Sequence, residues 1–279
     1  MRKKNYIPII IIFFILIILL INKNKKEQFR NNRLCLFYAY YEKDEKYKNN
    51  FEFFLKNGGI LNEIDYYIII NGDCTVDIPK RDNISVFKRE NKGYDFGAFS
   101  YAIKKITKDY DYYFFMNASV CGPYLDNKHP DKKWYKYFLK LFYDKDVKVV
   151  GTSIHILIDD NLKKIYGDKV SFSHVMSMFF CLDREYFTYL KNINFFNEDE
   201  CNNARDLTYI IVYKEIGLSQ IAINNGWNIN SILSKYKNHD YRTLDNLEGN
   251  QGDPYMPGTY FGETIDKYDV IFFKNTRFN

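Results

Sequence analysis

Asn91-Lys92-Gly93-Tyr94-Asp95-Phe96-Gly97-Ala98 joins a strand-like run to a helix-like one. In an open α/β sheet such a junction lies at the carboxyl edge, where ligands bind. Gly93 and Gly97 would let backbone approach a ligand, and Asp95 would accept from a nucleobase or ribose. The free N–H groups of a helix beginning after Gly97 would face an anion. A second reading makes Asp95 a helix cap and the glycines turn formers. The G-x-G-x-x-G order of a dinucleotide fingerprint is absent.

Three further stretches carry polar chemistry. Asn117-Ala118-Ser119 closes the run YYFFMN and precedes Cys121-Gly122-Pro123; its side chains suit hydrogen bonds to a sugar or phosphate, or simply a turn. His174 opens the run HVMSMFFCL, where with Ser177 it would orient a hydroxyl or phosphate, or serve as a satisfied structural residue. Glu215, in KEIGLSQ, would take a proton from a hydroxyl if its helix start faces a pocket, and is otherwise a solvated helix residue. A turn-rich stretch from Gly252 to Gly262 would close over a substrate or merely connect.

These residues need a frame, and the apolar runs supply one. Strands are expected over 33–41, 65–72, 84–90, 111–117, 147–154, 174–182 and 268–274. Helices are expected over 47–57, from Ala98 to Ile106, over 134–142, after Arg184 and over 207–225. Runs of four to six apolar residues without alternation imply strands buried on both faces, as in a mostly parallel sheet. The fold class is therefore α/β.

Composition narrows the function classes. The chain has 279 residues, 46% hydrophobic and 19% aromatic, enough for a packed core. Its formal charge of +5 arises in the first 33 residues, whose eight basic and one acidic side chains give +7 and leave the remainder near −2. Without a basic excess to displace counterions, that remainder is not expected to bind nucleic acid. The five cysteines, Cys35, Cys74, Cys121, Cys181 and Cys201, show no C-x-x-C spacing. They indicate neither a zinc site nor a disulfide framework, and most read as buried thiols.

Residues 6–21, YIPIIIIFFILIILLI, carry no charge. At ~1.5 Å per residue they extend about 24 Å, a little short of a ~30 Å hydrocarbon core. No small-residue cleavage site follows, so an uncleaved single-pass signal anchor is expected over 1–22, then a basic linker over 23–32 and one domain over 33–279. Basic residues flank both ends of the span, which leaves the orientation open.

ENKGYDFGAFS, YYFFMNASVCGP, VKVVGTSI, SHVMSMFF, KEIGLSQIAINNGWNI and YDVIFFKNTR occur in an order and spacing that resemble GT-A-type nucleotide-sugar glycosyltransferases, in particular the rhamnan synthesis protein F family. The resemblance runs from about Arg33 to Arg277. It implies a GT-A-like fold and transfer of a hexosyl or deoxyhexosyl group from a nucleotide sugar to a glycan or lipid-linked acceptor in polysaccharide biosynthesis. It implies that Asn91, Gly93, Tyr94, Asp95 and Gly97 hold the nucleotide, and that Asn117 and Ser119 contact the donor sugar or diphosphate. His174 would lie at the acceptor and Glu215 would be the base of an inverting reaction, although Lys214 stands where the Glu-Asp-x-x-Leu-Ser pattern has its acid neighbour. Metal-dependent relatives carry Asp-x-Asp at the 117–119 position and hold Mn2+ or Mg2+ there. The neutral Asn117 and Ser119 are poor anchors for such an ion, and backbone N–H groups with Lys92 would have to take part of the diphosphate charge. The same departure leaves room for a catalytically inactive glycan-binding or structural membrane protein.

Overall fold

The computed structural model describes residues 32–144, 146–169, 171–237, 239–243 and 252–277. The predicted 1–22 anchor and residues 23–31 of the linker lie outside them. Among the described residues no helix is long and apolar enough to cross a membrane.

The strands in chain order are β1 (Leu34–Tyr40), β2 (Ile64–Asn71), β3 (Ile84–Arg89), β4 (Tyr112–Asn117), β5 (Val120–Cys121), β6 (Val147–Gly151), β7 (Ile154–His155), β8 (His174–Val175), β9 (Phe179–Asp183), β10 (Asn228–Ser231) and β11 (Phe273–Lys274). Seven of them form one sheet in the order β10-β6-β9-β4-β1-β2-β3. Every neighbouring pair is parallel except those made by β9, which runs against both β4 and β6. The mostly parallel α/β sheet expected from the unbroken apolar runs is present: all seven residues of β1 are buried, and so are all five of β6.

The helices are α1 (Glu45–Lys56), α2 (Tyr94–Ile103), α3 (Tyr135–Leu139), α4 (Asp160–Tyr166), α5 (Arg184–Asn192), α6 (Glu198–Asn202), α7 (Leu207–Ile210), α8 (Gly217–Asn224) and α9 (Lys267–Val270). Asp44 caps α1 by accepting from the backbone N–H groups of Lys46 and Tyr47 at 3.0 and 3.2 Å. The helix then buries Phe51 and Phe54 on one side of the sheet, where Tyr38 meets them at ring-centroid distances of 4.8 and 5.2 Å. On the other side Phe37, Phe115 and Phe180 stack across β1, β4 and β9 at 5.1 and 4.6 Å, and Phe99 of α2 meets Phe115 edge-on at 5.1 Å. Each such side chain contributes about 1.5–3 kcal/mol by leaving water, and ring pairing adds roughly 0.5–1.5 kcal/mol. All five cysteines are free thiols, and Cys74 is the one not fully buried.

Four expectations need correction. The run 174–182 is two strands, β8 and β9, broken at Met176–Met178, where the chain turns from its antiparallel pairing with β7 into the main sheet. The run 268–274 is mostly not strand: Asp266 caps the short α9 by accepting from Tyr268 N at 2.8 Å, Ile271 takes a left-handed backbone (φ 64°), and only Phe273–Lys274 pairs, with β5. β10 is absent from the expected strands, because Asn228-Ile229-Asn230-Ser231 is half asparagine, yet it pairs with β6. The helix expected after Gly97 begins at Tyr94, so Asp95 and Gly97 are helical residues rather than loop.

Candidate functional site

The parallel order reverses at β1: the chain steps outward to β2 and β3, then returns to place β4 on β1's other side. Such a switch point leaves a crevice at the carboxyl ends of the strands, where α/β proteins bind ligands. Here a cleft of about 380 Å³ opens at that place, with Ala39 and Tyr41 from the end of β1 and Asn117, Ala118 and Ser119 from the end of β4 in its walls. Asp95, Lys43, Tyr47, Leu207, Lys274 and Thr276 complete the lining. A somewhat larger groove of about 460 Å³ beside α1 is lined by Phe53, Pro123, Tyr124 and their neighbours without a carboxylate or histidine.

Asp95 and Asn117, 22 residues apart in the chain, meet in the cleft: Asn117 Nδ2 donates to Asp95 Oδ2 at 2.5 Å. Asn117 Oδ1 accepts from Ser119 N at 2.9 Å and from Ser119 Oγ at 2.6 Å, which folds the strand end into a tight turn. Burial pushes the Asp95 carboxyl up to about 6, against the Asn117 hydrogen bond; the Glu215 charge adds to the rise and the Lys274 charge opposes it. Asp95, Asn117, Glu215 and Lys274 therefore share one electrostatic neighbourhood.

The chain links this cleft to Glu215. Asn117 N donates to Met178 O at 3.1 Å, which seats the 176–178 turn against the end of β4. Ser177 in that turn donates its hydroxyl to Glu215 Oε2 in a short hydrogen bond. Glu215 Oε1 lies 3.8 Å from His174 Nε2. The His174 ring donates through Nδ1 to Phe172 O at 2.9 Å, because a carbonyl only accepts, and so Nε2 bears the lone pair. Burial lowers the His174 imidazole to about 4 and that of His155, whose ring lies 5.2 Å away, to about 4 as well. Both are neutral at pH 7.

Glu215 stands within a π-helical stretch, Ile211–Ile216, between α7 and α8, not at a helix start. The widened turn is held from outside: Tyr166 Oη donates to Val212 O at 2.6 Å, and a Cβ on Gly217 would stand 3.0 Å from that hydroxyl. Single π turns inside helices commonly mark functional positions. Lys214, the non-acidic neighbour, is a packing element: its buried Nζ donates to Phe195 O at 2.8 Å and pairs with Glu200 at 2.9 Å.

The 91–97 segment divides. Asp95 faces the cleft, whereas Asn91, Gly93, Tyr94 and Gly97 are not among its lining residues. Both glycines have a packing cause. A Cβ on Gly93 (φ 68°) would meet Asn202 Oδ1 at 2.6 Å and the Cys201 carbonyl carbon at 2.8 Å, and one on Gly97 would meet Lys92 O at 2.8 Å. They let α6 lie across the start of α2, where the buried Arg89 guanidinium bonds Asn71, Lys92 O and Asn202 at 3.0, 2.8 and 2.7 Å. The Gly97 N–H is already taken by Gly93 O at 2.7 Å, so it is not free for an anion. Lys92 pairs with Glu90 at 2.5 Å and lies outside the cleft lining; the lysines in the lining are Lys43 and Lys274, which sequence reasoning did not select. In the 252–262 stretch Tyr255 and Tyr260 are buried, while Gly252, Met256, Pro257, Gly258 and Gly262 are exposed.

The residues at 117–119 do not fit Mn2+ or Mg2+. Such ions take several hard oxygen ligands. Asp95 is the single carboxylate in the lining, its Oδ2 already faces an amide N–H, and the Asn117 carbonyl is committed twice to Ser119. Among the described residues no group of three His, Cys, Asp or Glu side chains is placed to hold a metal.

No family model and no curated protein matches the chain. Solved structures with partial likeness include the mannosyltransferase PcManGT from Pyrobaculum calidifontis in complex with GDP-Man and Mn2+, with 8% identity over 60% of this chain and a TM-score of 0.37; the match spans about half (48%) of that protein. A 4-diphosphocytidyl-2C-methyl-D-erythritol synthase from Anaerococcus prevotii gives 9% identity, 76% of this chain, 92% of its own and a TM-score of 0.40. Glucosyl-3-phosphoglycerate synthase from Mycobacterium tuberculosis, in complex with Mn2+, UDP and glucosyl-3-phosphoglycerate, gives 10% identity, 57% and 59% coverage and a TM-score of 0.33.

Proposed function

We propose that the protein is a glycosyltransferase of GT-A-like architecture that moves a sugar from a nucleotide donor to a hydroxyl of a glycan or lipid-linked acceptor, anchored to a membrane through residues 6–21 as a single-pass protein. The observation that carries this reading is the switch-point cleft, in which Asp95, Asn117 and Ser119 stand on a hydrogen-bonded path, through Met178 and Ser177, to Glu215. Asp95 accepts from the nucleoside, and the Ser119 hydroxyl meets the donor sugar or diphosphate. Glu215 takes the acceptor proton in an inverting displacement, with Ser177 holding one of its oxygens and the neutral His174 lying beside the other at 3.8 Å, its Nε2 lone pair turned to the acceptor side. Asn91, Gly93, Tyr94 and Gly97 support the binding wall by shaping the start of α2.

Thermal unfolding of the full chain with a panel of nucleotide sugars tests this. A ligand that binds only the folded state at about a hundred times its Kd stabilises by ~2.7 kcal/mol. The expected result is a shift with one nucleotide that Asp95→Ala loses. If no nucleotide shifts the midpoint, the transferase reading fails and a structural or glycan-binding role for the same fold takes its place.

A further inference from the structure

The proposed donor brings a negatively charged diphosphate into a cleft whose residues do not suit a divalent ion. A different positive group stands there. Lys274 lies on β11, which pairs antiparallel with β5 so that Lys274 is opposite Val120, the residue after Ser119. Its side chain lines the cleft with Asn117 and Ser119, and its charge reaches Asp95.

A buried amide fixes this arrangement. Asn50 of α1, 1% exposed, donates from Nδ2 to Ala118 O at 3.0 Å and to Asn275 Oδ1 at 2.9 Å. Asn275 Nδ2 donates back to Asn50 Oδ1 at 2.7 Å. One side chain thus ties the residue after Asn117 to the residue after Lys274. Burying an asparagine with three hydrogen bonds favours stability only if all are made, so the two segments hold one register.

We propose that Lys274, held beside the Asn117–Ser119 turn by Asn50, is the group that pairs the donor diphosphate, and that the cleft works without a divalent cation. This rests on the transferase reading above. In the step it serves, the bond between the anomeric carbon and the diphosphate oxygen breaks and its electron pair stays on that oxygen. The acceptor oxygen bonds the anomeric carbon and its proton goes to Glu215. The Lys274 ammonium, already in place, offsets the charge gathering on the leaving diphosphate without reorganisation at the moment of transfer. A lysine serves here as a point charge for phosphate, and an arginine in its place would keep the charge.

The test is isothermal titration of the full chain with UDP, GDP, CDP, ADP and TDP, in EDTA and in Mn2+. For the nucleotide that binds, the expected result is equal affinity in both buffers, a ten- to hundredfold loss in Lys274→Gln, and near-complete retention in Lys274→Arg. Wild-type affinity in EDTA should also fall steeply with salt, a reading that needs no variant to fold. Binding that requires Mn2+, or is unchanged in a folded Lys274→Gln, would overturn the inference and leave the transferase reading standing. If none of the five binds the wild type in either buffer, the transferase reading fails and takes the inference with it.

Discussion

Replacing Asp95 by asparagine should raise the stability of the unliganded protein above neutral pH while harming nucleotide binding. Asp95 is held in the cleft with its ordinary carboxyl value of 3.8 pushed up to about 6, mainly by burial, with Glu215 adding and Asn117 and Lys274 opposing. An acid whose folded value is raised binds more protons in the native state than in the unfolded chain. Stability therefore falls as pH rises from about 3.8 to about 6 and stays low above it. A shift from 3.8 to about 6 corresponds to a penalty of up to about 3 kcal/mol at ~1.36 kcal/mol per unit. The amide introduced by Asp95→Asn carries no charge and keeps a carbonyl oxygen to accept from Asn117 Nδ2. Urea unfolding of wild type and D95N in parallel, from pH 4 to pH 8, reports this group together with its coupling to Glu215, because titrations not coupled to it cancel in the difference. The variant should match wild type near pH 4 and exceed it by up to about 3 kcal/mol at pH 8. A difference that does not vary with pH, or a variant weaker at pH 8, would refute a desolvated carboxylate in the cleft.

Three other outcomes follow from the packing. Gly93→Ala forces a Cβ against Asn202 and the Cys201 backbone at φ 68°, and should cost about 1–3 kcal/mol in urea unfolding whether or not nucleotide is present. Arg89→Met removes the donor to Asn71, Lys92 O and Asn202, while Glu198, 3.8 Å from the guanidinium, keeps Lys104 at 3.2 Å; chemical denaturation should show a loss of roughly 1–3 kcal/mol. His155 and His174, lowered from 6.5 to about 4, bind fewer protons folded than unfolded, so stability should be lost as pH falls from 6.5 towards 4; His174→Gln should flatten that limb of a urea midpoint against pH plot.

The sheet was legible because its strands are apolar on both faces, a pattern that survives without knowledge of neighbours: 33–41, 65–72 and 111–117 each fall on one strand, and 147–154 begins on β6, which ends at Gly151 before Ile154 opens β7. The break inside HVMSMFFCL was not, since Met176–Met178 contains neither Gly nor Pro and Ser177 turns to satisfy a carboxylate 38 residues on. β10 was hidden by its asparagines, of which Asn228 donates its amide to His239 O at 2.9 Å. At the site, single-position chemistry was readable and partnership was not. Asp95, Asn117 and Ser119 were selected by their place at strand ends, but Gly93 and Gly97 were read as openings for a ligand when what approaches them is α6. Lys274 and Asn50 carry no local signal at all: one sits in a two-residue strand whose partner is β5, and the other in the buried face of a helix where apolar residues are expected.

The measurement that bears most directly on the central claim is release of free nucleoside diphosphate from nucleotide sugars by the full chain, followed in parallel with donor affinity for wild type and Glu215→Gln. Water then serves as the acceptor. The account predicts turnover by wild type with one donor, and in Glu215→Gln an unchanged donor affinity with turnover reduced by about 10²- to 10⁴-fold. Full turnover by Glu215→Gln, or no turnover of any nucleotide sugar by wild type, would contradict it.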